Sequence, residues 1–296
     1  MLNEVARTSS HSSRVLVALV LCAALAVQCQ QLSQHRDAGG GVPVSMTEQL
    51  PAAAVVTSVT SQDQELALRD PLAFLYRCRD NYDRHVRDYT CTFLKQERVA
   101  DRLTPEQETV VKFRQAPYSV NMRWVRNADA AAHVTYIEGR WPDESGQDQA
   151  WCEPAGAVVR LFVSKILQPI HGKRAAEASR RTIDQFGFRN TLDLIIRYSE
   201  QAAEEGALDL RYVGPGSMDG RPTYLFERRL PYTGQEKPYP DRLLVFHVDQ
   251  EWLLPTACFS YADENRQDLL GRYVLTDVDF NQGLTDSDFG PESLDM

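Results

Sequence analysis

The chain has 296 residues, 43% of them hydrophobic and 25% charged, which is enough apolar material for a sizeable core in one or two domains. Its formal net charge is −9 at pH 7. That acidity argues against nucleic acid as a partner, because holding a phosphate backbone needs a face rich in lysine and arginine.

The N-terminus bears on the compartment. Arg7 and Arg14 precede an apolar run from Val15 to Val27, VLVALVLCAALAV. A basic stretch followed by such a run is the order of a secretory signal, and the run is shorter than the ~20 residues of a spanning helix. Ala24 and Ala26 offer an A-x-A cleavage site, giving a signal peptide over 1–26. A second reading is lipidation of Cys29 after cleavage in front of it, with Gln28 standing where a small residue is expected. An uncleaved anchor is the third. All three export the chain, either into the periplasm or onto a membrane-anchored place in the cell envelope. Residues 27–69 carry Gly39-Gly40-Gly41 and no sustained period, and suit a flexible tether. Downstream, Cys78, Cys91, Cys152 and Cys258 allow two disulfides in any of three pairings, or four buried thiols.

The folded domain is expected over 70–293. Asp70 suits an N-cap and Pro71 a first helical position; Leu72, Leu75, Tyr76, Arg79 and Tyr82 follow at helical spacing to near Val86. Alternation then predicts strands through Tyr89, Cys91 and Phe93, through Val111 and Phe113, and through Val120, Met122 and Trp124. Ala116-Pro117 separates the last two, and His133–Glu138 and Ala157–Val163 read as further strands. Lys173–Phe186 reads as a basic helix or loop. Asn190–Glu205 reads as a helix with Leu192, Ile195, Ile196, Ser199 and Ala203 on one stripe. Strands resume at Ala207–Val213, Pro222–Arg229, Arg242–Val248, Thr256–Ala262 and Leu270–Phe280. Gly214-Pro215-Gly216, Asp219-Gly220 and Tyr232-Thr233-Gly234 would supply turns. Strands on both sides of a helical middle give an α+β protein with a large, curved antiparallel β-sheet and two or three helices covering its concave face.

The succession YTCTFLKQER, VVKFRQAPYSVNMRW, SRRTIDQFGFRNTLDLII, LPTACFSYADE and LTDVDFNQGLTDSDF resembles a bacterial domain-of-unknown-function family associated with the LolA-like superfamily of periplasmic lipoprotein carriers. The resemblance covers about residues 70–293, and its most specific pieces are Ser179–Phe188 and Asn281–Phe289. It implies an incomplete β-barrel covered by helices around an apolar cavity, which in the carriers receives acyl chains. It transfers no catalytic residue.

Three groups of residues are site candidates. Phe93, Phe113, Met122, Trp124, Tyr136, Phe226 and Phe259 fall on one side if the strand registers hold; they line either a ligand face or an ordinary core. Lys173, Arg174, Arg180 and Arg181 would meet anionic lipid or a partner, or form a solvated face. Asp277, Asp279, Asn281 and Asp288 approach a calcium-loop spacing, but Gly283 is one position late. A plain strand with Val274, Thr276, Val278 and Phe280 inward is the better reading, and no metal or cofactor is expected. The chain has no G-x-S-x-G, H-E-x-x-H or C-x-x-C, and His85, His133, His171 and His247 are dispersed. The expected function is an exported binding protein that shelters a lipid, lipoprotein acyl chain or other elongated apolar ligand without covalent chemistry. A structural or interaction module of the envelope with a self-filled core is the alternative, and an enzyme with an unrecognised site the third.

Overall fold

The computed structural model describes residues 62–156, 165–234 and 238–295. The signal sequence, Cys29, most of the tether and the strand expected at Ala157–Val163 lie outside the described residues.

Helix α1 (Gln62–Arg69) falls inside the stretch read as tether. Ala67 is fully buried, Leu66 packs on the core and Asp63 is bonded to Arg77, so the folded domain begins before Asp70. Three consecutive apolar residues, Leu66, Ala67 and Leu68, in one short helix show no helical period. Helix α2 (Pro71–His85) starts where its signals place it, with the Asp70 carboxylate accepting from the Ala73 amide at 2.9 Å. Its buried stripe is Phe74, Leu75, Cys78 and Tyr82.

The strands are β1 (Asp88–Val99), β2 (Arg102–Leu103), β3 (Gln107–Arg114), β4 (Ser119–Arg126), β5 (Ala131–Ile137), β6 (Gln149–Pro154) and β7 (Ile166–Pro169), then β8 (Asp209–Met218), β9 (Arg221–Arg229), β10 (Leu243–Asp249), β11 (Pro255–Tyr261) and β12 (Leu269–Phe280). Between the two sets stand α3 (Lys173–Ala178) and α4 (Phe188–Glu204). All strands join one sheet in the order β7-β6-β5-β4-β3-β1-β12-β11-β10-β9-β8, with β2 paired to β1, and every pairing is antiparallel. The protein is α+β with an open, curved antiparallel sheet, as expected. Strand β1 is the hinge of the topology: it pairs with β3 on one side and with β12, from the far end of the chain, on the other.

Three local readings are corrected. Gly214-Pro215-Gly216 is no turn; β8 runs through it to a turn at Asp219-Gly220. Pro215 is tolerated there because β8 is an edge. Gly216 is required because a Cβ would lie 2.9 Å from Thr223 Oγ1 and 3.2 Å from His247 Nδ1. In β12, Val274 and Thr276 do not share a face with Val278 and Phe280. Asp277, at φ 50°, sits in a bulge opposite β1, and Val274 packs in a different cluster from Val278 and Phe280. On α4, Ala202 rather than Ala203 is buried.

The two faces of the sheet carry different cores. On the concave side, α2 and α4 press Phe74, Tyr82, Phe188 and Leu192 onto Tyr89, Val111, Phe226, Phe246 and their neighbours. On the convex side, Leu225, Leu243, Val245, Ala257, Phe259, Tyr261 and Val274 form a second cluster.

Candidate ligand-binding cavity

Helix α4 packs closely on the β8–β12 half of the concave face. Over the β3–β7 half the cover is α3 and the irregular segment Ser179–Gly187, and a cavity of about 1160 Å³ lies between cover and sheet, reaching from this half along one side of α4 (Asn190, Leu194, Arg197) to Arg228, Cys258 and Tyr273 on β9, β11 and β12. Small-molecule sites usually measure about 300–1,000 Å³, so this one has room for a long ligand. Exposed Asp129, Ala130, Arg174 and Arg197 lie around its mouth.

Cross-strand register builds the walls. Met122, Val134, Cys152 and Ile166 are direct partners across β4, β5, β6 and β7, and all four line the cavity as an apolar ladder. Leu275, Phe93, Thr109 and Trp124 make a second row across β12, β1, β3 and β4. The covering segment is fastened at several points. The Tyr118 hydroxyl lies 2.9 Å from the carbonyls of both Ile183 and Phe186, and Phe186 packs edge-on against Phe93 at 5.2 Å. Gly187, at φ 109°, passes so close to the sheet that a Cβ would lie 3.1 Å from Tyr89 Oη and Phe113 Cε2.

The strongest fastening is ionic. Glu97 is 1% exposed, and its carboxylate accepts from Ser179 Oγ (2.8 Å), the Arg180 amide (3.3 Å) and Tyr273 Oη (2.9 Å), with Lys95 Nζ at 3.2 Å. Burial by itself would raise the Glu97 pKa; the Lys95 charge and these hydrogen bonds outweigh it and hold the carboxyl below its usual range. A second buried pair, Arg228–Asp241 at 3.2 Å, lies in the same wall, and Arg228 also donates to the Ile195 carbonyl at 3.1 Å. The wall thiols are poor nucleophiles, since burial pushes Cys152 up to about 11 and Cys258 to about 12. Among the described residues no histidine lines the cavity. Among the described residues all four cysteines are free, and no three His, Cys, Asp or Glu side chains are grouped to hold a metal ion.

A family model described as "Protein of unknown function (DUF1571)" matches residues 86–295. The chain belongs to the DUF1571 family. A search of curated proteins finds no match. Among solved structures, a DUF1329 family protein from Desulfovibrio piger is similar at 14% identity and a TM-score of 0.38, covering 76% of this chain and 99% of that one. The Mycobacterium tuberculosis lipoprotein LppX is similar at 11% identity and 0.40, covering 73% and 98%. A LolA superfamily protein from Nitrosomonas europaea is similar at 9% identity and 0.25, covering 74% and 98%.

In this DUF1571 chain the expected aromatic face divides. Phe93, Met122 and Trp124 line the cavity. Phe113 lies under the covering segment, stacked on Tyr89 at 4.8 Å. Tyr136 packs with Ala150 and Ile170 and donates its hydroxyl to Asp148 at 2.7 Å. Phe226 is in the solid core between Phe74 and Phe246, with ring centroids 5.3 and 5.0 Å away. Phe259 is on the opposite face, in the convex cluster, while its neighbours Cys258 and Ser260 face the cavity. The run TACFSY is buried on both faces, so the alternation of Ala257, Phe259 and Tyr261 with Thr256, Cys258 and Ser260 does not tell which face is concave. Of the basic group, Arg174, Arg180 and Arg181 line the cavity, whereas Lys173 is exposed and pairs with Glu177 at 3.6 Å. Asp277 and Asp279 are exposed on β12. The Asn281 amide holds the Arg87 N–H and the His85 carbonyl, and Asp288 pairs with Lys112 at 2.8 Å. That closing motif ties the C-terminal segment to the sheet. Sequence reasoning missed Lys95, Glu97, Tyr273, Arg228 and Asp241. Its usable signal was in β1, where the inward alternation Cys91, Phe93 continues into two charged residues, Lys95 and Glu97.

Proposed function

We propose that this protein is an exported cell-envelope binding protein that shelters a lipid, acyl chain or similar elongated apolar ligand in this cavity, without covalent chemistry. The observation carrying the reading is the apolar ladder Met122–Val134–Cys152–Ile166 facing about 1160 Å³ of space that the protein's own helices do not fill. Burying a methylene is favourable by about 0.8 kcal/mol, so a long chain can be held by burial alone. Neutral buried thiols and a histidine-free lining argue against nucleophilic chemistry there. Export rests on the N-terminal signal pattern, and among the described residues no helix is long and apolar enough to cross a membrane.

The test is mass spectrometry of organic extracts from natively purified protein, beside a Val134→Trp variant whose indole fills the ladder side of the cavity. Lipid near one equivalent in the wild type, reduced in the variant at equal stability, is expected. Lipid at trace level in both proteins would leave a self-filled structural module instead.

A further inference from the structure

The cavity is not apolar throughout. Its inward positions along β1 run Phe93, Lys95, Glu97, and each brings a cross-strand row with it. The Phe93 row is Leu275–Phe93–Thr109–Trp124. The next row is Cys258–Tyr273–Lys95–Gln107, and all of its members line the cavity. At about 3.4 Å per residue, grease gives way to ionic groups within about 14 Å. An occupant that fills the whole space must therefore be apolar at one end and polar at the other.

The sign of the polar end follows from which hydrogen-bonding capacity is already used. A carboxylate offers about four acceptor sites, and Glu97 already faces four donors, from Ser179, Arg180, Tyr273 and Lys95. Asp241 is held by Arg228. The Glu97 acceptors are therefore committed, whereas donors at this end remain; the buried acceptor without a partner among the described residues, Asp184 Oδ1, lies two residues beyond Thr182 on the covering segment. The Lys95 ammonium carries three N–H groups and is placed against two oxygens, Glu97 Oε2 and Ser179 Oγ at 3.2 Å each. Its side chain is 12% exposed, so the third N–H can be reached from the cavity. The Arg228 Nε and Thr182 hydroxyl are buried in the same wall without a hydrogen-bond partner among the described residues.

We infer that this end of the cavity is a subsite for an anionic head group, a carboxylate or phosphate, so that the ligand is an anionic amphiphile with its chain along the Met122–Ile166 ladder. The inference rests on the apolar-cavity reading above and deepens it. Lys95 supplies the direct contact, and Arg228 acts from within the wall through its field. Charge-assisted hydrogen bonds exceed neutral ones in strength, and one such contact corresponds to about a tenfold gain in affinity.

The test is displacement of the neutral fluorescent probe N-phenyl-1-naphthylamine from the intact protein. Three competitors share a sixteen-carbon skeleton: palmitate, hexadecyl phosphate and 1-hexadecanol, each kept below its self-association concentration. At least one anion should displace the probe at about tenfold lower concentration than the alcohol, and which anion does so identifies carboxylate or phosphate. Raising salt from about 0.05 M to about 0.5 M should narrow the gap without moving the alcohol. Arg181→Ala and Lys95→Met should narrow it too. The comparison of the three competitors needs no variant, so a misfolded Lys95→Met protein would not spoil the test. Equal displacement by all three competitors would overturn the head-group subsite and leave the apolar cavity standing. Displacement by none would remove the cavity reading itself.

Discussion

Replacing Glu97 by alanine tests what holds the cavity's cover in place. Glu97 is 1% exposed, and its loss would strand Lys95 and take the acceptor from Ser179 Oγ, Tyr273 Oη and the Arg180 amide. Removing one member of a buried ion pair costs about 3–5 kcal/mol. Lys95 keeps some access to the cavity, which places the expected loss near the lower figure, about 3 kcal/mol. A domain of ordinary stability, about 5–15 kcal/mol, would still fold. Urea unfolding measures the global change, and limited trypsinolysis at Arg180 and Arg181 measures local release of the segment. Both should respond. Replacing both partners, Lys95→Met with Glu97→Leu, removes the stranded charge along with the pair and should be more stable than Glu97→Ala alone. Unchanged cleavage and a stability loss under about 1 kcal/mol would mean that Phe186 and Tyr118, not the carboxylate, fasten the cover.

Two further outcomes follow from buried groups. His133 and His247 are 4% and 2% exposed, and burial lowers both to about 4. The unfolded chain therefore takes up protons below about 6.5 that the native state refuses until about 4. Stability is full above about pH 6.5 and is lost as pH falls through that window, by about 2 kcal/mol per histidine at pH 5. Urea midpoints measured from pH 7.5 to 4.5 should fall accordingly, and a His133→Gln, His247→Asn double variant should show a flatter profile. Gly187→Ala places a methyl against Tyr89 and Phe113 at a left-handed φ and should cost about 1–3 kcal/mol, with faster trypsin cleavage of the same segment; wild-type behaviour would show that the close approach relaxes freely.

Much of the fold was legible because its signals are local. Asp70-Pro71 marks a helix start through hydrogen bonding and a fixed φ, and β3 alternates cleanly because one of its faces is less buried. Legibility failed where both faces are buried. Every residue of β10 and β11 is buried, so alternation does not distinguish the concave from the convex face, and Phe259 was assigned to the wrong side. It failed again at Asp277, where one bulge residue inverts the rest of β12. The cavity was only half visible for a different reason. Phe93, Met122 and Trp124 are ordinary strand aromatics and apolar residues, and no pattern separates those that a helix covers from those that none does. That distinction depends on α4 packing over the β8–β12 half and handing over to an irregular segment at Ser179–Gly187. The motif SRRTIDQFGF was recognisable as family-specific long before its role as a wall was visible.

The cavity is also difficult to explain as a flaw in packing. If 1160 Å³ were sealed and dry, the usual penalty of about 24 cal/mol per Å³ would amount to about 28 kcal/mol, more than the whole stability of a typical domain at about 5–15 kcal/mol. The space is therefore not a sealed void but one that solvent or a ligand enters through its mouth. Water is well suited to the Lys95–Glu97 end, where a molecule can find several polar partners, and poorly suited to the Met122–Val134–Cys152–Ile166 ladder, where it finds almost none. A methylene chain reverses both preferences. Contents apolar at one end and polar at the other would suit both ends at once, as the binding role proposed above requires.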